Sequence, residues 1–268
     1  MAPPTLQYAI SYTAMFVAAY WAIFTVGYYS PWAPRNGAKK GNKSNMPSQR
    51  VAFANRWCSF SHAITDTIVC AYIMYKYQKI SDVSGRMFLP ITYDQPSDED
   101  FHWVIPVLLG YCVGDSIFMA IFEKDFLMTM HHVAVVIGVM PLYLAPYGWY
   151  MCIVSTFFAE ITNPLQNTWQ YTREYGPRSW YEALSFPFTV AFFVCRGLLM
   201  PIFLLDFFMF IWMEKRPNDD EATQMQLKIS WVIFTMGWFA SLIWLKGVVG
   251  GYLRYLKKKR AADKGKMQ

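Results

Sequence analysis

The sequence predicts an all-α protein, a bundle of about seven transmembrane helices with the N-terminus outside and the C-terminus in the cytosol. Three observations carry that expectation. Of 268 residues, 55% are apolar, 19% aromatic and only 16% charged, against roughly 25% charged and 45–50% apolar in soluble domains. The apolar residues fall in nearly uncharged runs about as long as the 20 or so helical residues that cross hydrocarbon. The density of Lys and Arg also alternates from one connector to the next, as it does in a chain that repeatedly crosses a bilayer.

The first run, Leu6 to Tyr29, has no charge. It is too long for a signal peptide and lacks a charged leading region, so it is expected to remain as an uncleaved span. The next runs are Val51 to Tyr75, Phe101 to Phe122 and Phe126 to Leu144. Gly148 to Trp169, Leu184 to Met213 and Leu227 to Tyr252 complete the set. The connectors are short and hold no soluble domain; the longest, 76–100, is acidic and contains Pro90 and Pro96.

Orientation follows from charge. The first connector carries Arg35, Lys39, Lys40, Lys43 and Arg50; the third carries Lys124 and the fifth Arg173 and Arg178. With the tail from Arg254 to Lys266 these make fifteen basic residues on one side, against five on the other. On the sparse side, Lys76, Lys79 and Arg86 lie beside Asp82, Asp94, Asp98, Glu99 and Asp100, and Lys215 and Arg216 lie among Glu214, Asp219, Asp220 and Glu221. Positive charge is retained in the cytosol, which sets the topology.

The net charge of +6 does not point to nucleic acid. That function needs a continuous soluble basic face, whereas clusters such as Lys257, Lys258, Lys259 and Arg260 are juxtamembrane and suit anionic lipid. The five cysteines, Cys58, Cys70, Cys112, Cys152 and Cys195, lie inside apolar runs without framework spacing and read as packing residues.

Ionisable groups inside a span cost roughly 2.5–3.5 kcal/mol each near the bilayer centre, so each is a functional pointer. In the second span Asn55, Ser59, His62 and Asp66 are spaced i, i+4, i+7, i+11 and share one helical face. Thr156, Glu160, Asn163 and Asn167 repeat that spacing in the fifth, where Pro164 is expected to kink the helix. The third span adds Tyr111 and Asp115, the fourth His131 and His132, the sixth Arg196 with Pro201, and the seventh Lys246. At about 1.5 Å per residue most of these lie in the cytosolic half of the membrane, which predicts one polar cavity open to the cytosol. Asp206 is the exception, toward the other face. A lone guanidinium at that depth is costly, so Arg196 is expected to pair with Asp115 or Glu160. No HExxH and no paired ExxH occurs, so no metal site is assigned.

These motifs resemble the TLC-domain family of multispanning membrane proteins, which includes the ceramide synthases. The matching features are Asn55 and Arg56 followed by SFSHA, then GYCVGD with Tyr111 and Asp115, MHH with His131 and His132, AEITNP with Glu160, Asn163 and Pro164, FFVCR with Arg196, and IWLKG with Lys246. Where ceramide synthases carry a His-Asp motif and a further Asp, this chain has FFAEITNPLQNTWQ, so it looks like the non-ceramide-synthase branch. The resemblance implies residues 1–49 as a first helix and basic connector, 50–252 as a TLC-like six-helix membrane domain, and 253–268 as a basic cytosolic tail.

Two functions are then expected. The first is lipid handling: lipid sensing, control of membrane lipid composition, or acyl transfer with acyl-CoA as substrate. In the enzymatic version one of His131 and His132 acts as general base or acyl-accepting nucleophile, oriented by Asp115 or Glu160. His62, Tyr111, Asn163, Arg196 and Lys246 complete the ligand-binding set, with Arg196 and Lys246 on an anionic headgroup. The alternative is a structural or accessory subunit of a larger membrane complex, with membrane proteins as partners besides lipids. Trp57, Trp103, Trp149, Trp169 and Trp212 fall near span ends and suit headgroups or partner helices. Lys264 and Lys266 resemble a dilysine retrieval signal, which makes the endoplasmic reticulum the expected location and an inner mitochondrial membrane the rival for a complex subunit.

Overall fold

The computed structural model describes residues 4–34, 49–81, 98–146, 148–213 and 220–266, and all regular structure within them is helical. Helices α1 (Leu6–Tyr29), α2 (Gln49–Ser81), α3 (Val104–Phe118) and α4 (Phe126–Leu144) come first. They are followed by α5 (Trp149–Glu160), α6 (Asn163–Glu174), α7 (Arg178–Phe192), α8 (Met200–Trp212) and α9 (Glu221–Lys266). Two wider π-helical stretches extend α3 through Met119–Glu123 and join α7 to α8 through Phe193–Leu199. Arg35, Lys39, Lys40 and Lys43 lie outside the described residues, as do Asp82, Arg86, Pro90, Asp94, Pro96, the 214–219 connector and Met267-Gln268. The side chains of Lys79, Lys258, Lys259, Arg260, Lys264 and Lys266 lie outside them too.

Five helical stretches are long and apolar enough to cross a membrane: Leu6–Tyr29, Glu99–Glu123, Phe126–Leu144, Arg178–Trp212 and Glu221–Lys257. The protein is therefore a multi-pass, all-α membrane bundle. The other two expected spans are also helical, and they fall short for a physical reason. Helix α2 carries Arg56, His62 and Asp66 within its run, and the fifth run is split at Ile161 and Thr162, one residue ahead of the α6 start. Pro164 stands in the first turn of α6, where its missing N–H costs nothing, so the kink expected from it is a full break.

The helix ends show why the chain turns where it does. Thr5 Oγ1 accepts from the Tyr8 N–H (3.2 Å) and Asp125 Oδ1 from the Met128 N–H (3.0 Å), capping α1 and α4. Asp220 caps α9 by accepting from the Thr223 N–H (2.7 Å), and that hydrogen bond holds its carboxyl below the ordinary value. Lys124, at φ 53°, supplies the left-handed residue that reverses the chain between α3 and α4.

Close helix contacts come from small residues, as membrane packing favours. Gly110 and Gly114 form a GxxxG face on α3 against α1. A Cβ on Gly110 would lie 2.5 Å from Phe16 Cβ and 3.0 Å from its backbone carbon, and one on Gly114 would lie 2.7 Å from the Tyr20 ring. On α4, a Cβ at Gly138 would lie 2.8 Å from Ile233 of α9. All five cysteines are buried and free, in keeping with a packing role. Of the tryptophans expected at span ends, Trp57 and Trp212 are exposed, whereas Trp149 is buried against His102 and Tyr77.

At the end carrying the acidic connector, Lys76 Nζ meets Asp98 Oδ2 at 2.6 Å and the Tyr77 hydroxyl donates to the same oxygen at 2.9 Å. Burial pushes the Asp98 carboxyl up, but the hydrogen bonds from Lys76 and Tyr77 outweigh it and leave it below its usual value. A depressed carboxylate stabilises the fold above its unfolded pKa and loses that contribution as pH falls through the lowered folded value. Asp98→Asn should therefore flatten the acid-side fall of the unfolding temperature; an unchanged profile between about pH 5 and pH 2 would show that the tie carries no stability.

Candidate functional site

Two histidine–carboxylate pairs stand side by side in the bundle. On α2 and α5, His62 Nε2 lies 3.1 Å from Glu160 Oε2, and Asn163 Nδ2 donates to the same oxygen at 2.8 Å. On α4 and α3, His132 Nδ1 lies 3.2 Å from Asp115 Oδ2. The other Asp115 oxygen faces the Tyr20 hydroxyl of α1 at 3.3 Å, and Tyr20 also donates to Asn55 Oδ1 at 2.6 Å. Tyr111 sits between the pairs, stacked on the His62 ring (3.5 Å between centroids) and edge-on to His132 (5.6 Å). His62, Asp115, His132 and Glu160 are all buried.

The shared faces read from the sequence explain this meeting. Helices α2 and α5 run antiparallel, so His62 faces Glu160 while Ser59, one turn nearer the basic end, faces α6, where Asn167 Nδ2 donates to its Oγ at 3.1 Å. Asp66 is the next residue along that face. It is fully buried, and neither of its oxygens has a hydrogen-bond partner among the described residues.

A cavity of about 660 Å³ lies beside these pairs, enclosed chiefly by α4, α5, α6, α7 and α9. Tyr111, His131, His132, Glu160, Asn163 and Arg196 all line it. Its deep end is apolar, with Val139 and Met200, while Asp125, Gln166, Asn167 and Gln170 form a polar mouth at the basic end of the bundle. That shape, apolar with a few convergent polar groups, is the usual one for a small-molecule site. Asp115 is held behind His132 and His62 behind Tyr111 and Glu160, so both support the lining without forming part of it.

Two expectations are corrected. Arg196 has no ion pair with Asp115 or Glu160; its guanidinium donates to the Ala159 carbonyl and lies 5.7 Å from the centre of the Phe192 ring. Ala159 immediately precedes Glu160, so the backbone next to that acid accepts from one guanidinium nitrogen, while the buried Nε–H has no hydrogen-bond partner among the described residues. Lys246 is exposed and does not line the cavity. Trp244 and Val248 are the inward residues there, and Lys246 lies about 200° around the helix from Trp244.

Sequence reading missed four contributors. Trp244 packs edge-on against His131 at 5.4 Å, and Trp238 Nε1 donates to the Arg196 carbonyl at 2.9 Å within the π-helical stretch. That irregular stretch turns Arg196 into the cavity, a use to which π-bulges are often put. Tyr20 comes from the first helix, whose uncharged sequence gave no sign of a role. Arg56, quoted only as part of a motif, locks α2 to α6 through Gln170 and Glu174 (2.7 Å to Glu174). Among the described residues no three His, Cys, Asp or Glu side chains are grouped as a metal site.

An all-helical membrane bundle with an internal cavity flanked by histidine–carboxylate pairs defines the class of protein. The TLC domain model matches residues 52–249, most of the chain, and the protein belongs to the TLC-domain family. No curated protein and no solved structure matches it.

Proposed function

We propose that the protein handles an acyl-chain lipid in the cavity between α4–α7 and α9, with the chain in the apolar deep end and the polar head at the mouth. The observation that carries this reading is the gradient along one cavity, from Val139 and Met200 at one end to His131, Arg196, Asn163 and Gln166 at the other. The charge distribution turns that mouth toward the cytosol, where acyl-CoA or a lipid head would approach. Arg196, which lines the cavity beside Glu160, suits an anionic head better than the exposed Lys246 does.

The same geometry supports acyl transfer. Asp115 on His132 Nδ1 would leave Nε2 as the basic nitrogen facing the cavity, the arrangement of a general base held by a carboxylate. His131, with no carboxylate partner among the described residues and its ring on Trp244, is the alternative acceptor. His131→Ala and His132→Ala are expected to fold yet abolish any effect on cellular lipid composition. Unchanged lipid profiles in both well-expressed variants would remove the histidines from the mechanism.

One observation favours the second reading, a scaffold subunit: both histidine–carboxylate pairs are closed on each other, as in a purely structural core. Purification in mild detergent separates the two, since a stoichiometric protein partner supports the scaffold and co-purifying acyl lipid supports lipid handling. For location we propose the endoplasmic reticulum, tested by imaging; a mitochondrial pattern would contradict it.

A further inference from the structure

The cavity has an opening besides its polar mouth. Four of its lining residues, Leu127 and Ala134 on α4 and Ile243 and Gly247 on α9, are exposed on the outside of the bundle. Leu127 is 69% and Ile243 72% exposed, values that a sealed wall would not show. The two helices are pressed together at Gly138 and Ile233. Nearer the basic end they are bridged by rings, with Trp244 edge-on to His131. In this antiparallel register Leu127, one turn before His131, falls level with Gly247, about one turn after Trp244. Gly247 extends no side chain there, and among the described residues no heavy atom lies within 4 Å of where its Cβ would be.

The flanks of this gap are apolar and outward-facing, with Phe126, Met130 and Ile137 on α4 and Met236 and Phe239 on α9 all exposed. In a membrane protein such a surface meets lipid tails rather than water. A water-soluble ligand has no reason to enter there, whereas an acyl chain already lies against it.

We propose that the gap between α4 and α9, bounded by Leu127, Ala134, Ile243 and Gly247 and crossed by Trp244, is a lateral portal. Through it the acyl chain of a membrane lipid passes into the cavity from the leaflet at the basic end. The proposal rests on the lipid-handling reading and adds the route and the class of entrant: a chain that slides in sideways, methyl end first, while its polar head follows along the Asp125 and Gln166 mouth. Trp244 is the crossbar, because its indole must swing off His131 for the chain to pass. The absence of a side chain at residue 247 keeps the threshold open.

The test uses the full-length protein in phosphatidylcholine nanodiscs containing a fatty acid with a diazirine near its methyl end. Brief illumination and peptide mass spectrometry read label on Val139 and Met200, which line the deep end and are buried from bulk lipid. Gly247→Trp places an indole across the threshold without meeting a neighbour and should slow cavity labelling about tenfold, a barrier change of about 1.4 kcal/mol. Gly251→Trp is the matched control: it also enters open space on α9 but does not line the cavity, and its labelling should equal that of the unmodified protein. Trp244→Ala should speed labelling and serves as a second measurement if Gly247→Trp does not fold. Equal cavity labelling in Gly247→Trp and the unmodified protein, or no acceleration in Trp244→Ala, overturns the portal and leaves lipid binding standing. No cavity label in the unmodified protein overturns both.

Discussion

Gly110→Leu should prevent α1 from docking, and the purified variant should be aggregated or unfolded at temperatures where the unmodified protein is monodisperse. Overpacking usually costs about 1–3 kcal/mol because neighbouring side chains can shift. Here the obstruction includes backbone, with the Phe16 carbon at 3.0 Å and the Val17 nitrogen at 3.1 Å from the new Cβ, so the helix itself must retreat and the cost should reach the top of that range or beyond. Retreat would also draw Tyr20 away from Asp115 and Asn55 and so disturb the site from outside the family-matched region. Size-exclusion profiles and thermal unfolding in detergent measure this. A monodisperse Gly110→Leu with an unchanged unfolding temperature would show that α1 does not pack on α3 as described.

Asp115→Ala should be the most damaging single change among the polar residues. It strips His132 of its carboxylate and leaves the Tyr20 hydroxyl with Asn55 alone. Leaving a buried polar group unpaired costs about 1–3 kcal/mol. Asp115→Asn, which still offers an oxygen to Tyr20 but no charge to His132, should fall between Ala and the unmodified protein. Combining Asp115→Ala with Tyr20→Phe should cost less than the sum of the two, since they share one hydrogen bond. Strict additivity would contradict that contact, and an Asp115→Ala protein of full stability would mean that the pair contributes nothing.

The sequence made the helices readable because a membrane span needs a long apolar run, and it made the polar faces of α2 and α5 readable because both carried polar residues at one helical spacing. Both faces were expected to border one polar cavity, but the pairing of His62 with Glu160 came only from the structure. Which acid serves which histidine was not readable, since Asp115 and Glu160 lie at similar depth and only the lateral arrangement of helices separates them. Lys246 was misplaced for a related reason. Helix α9 is apolar on its lipid face as well as its inner face, so periodicity does not mark the cavity side, and a lysine there can point outward. Arg196 was expected to need a carboxylate because the cost of a buried cation was weighed without the free backbone carbonyls available around the α5–α6 break. The π-helical stretch that presents Arg196 has no distinguishing composition.

Native mass spectrometry of the protein released from mild detergent tests the lipid cavity most directly. Gly237 lines the cavity, and no heavy atom lies within 4 Å of where its Cβ would be, so Gly237→Trp fills the space without disturbing its walls. The unmodified protein should carry one acyl lipid per chain that survives release, and Gly237→Trp should carry none while keeping its unfolding temperature. An unmodified protein that emerges free of lipid, or a Gly237→Trp protein that carries the same bound mass, would contradict the account.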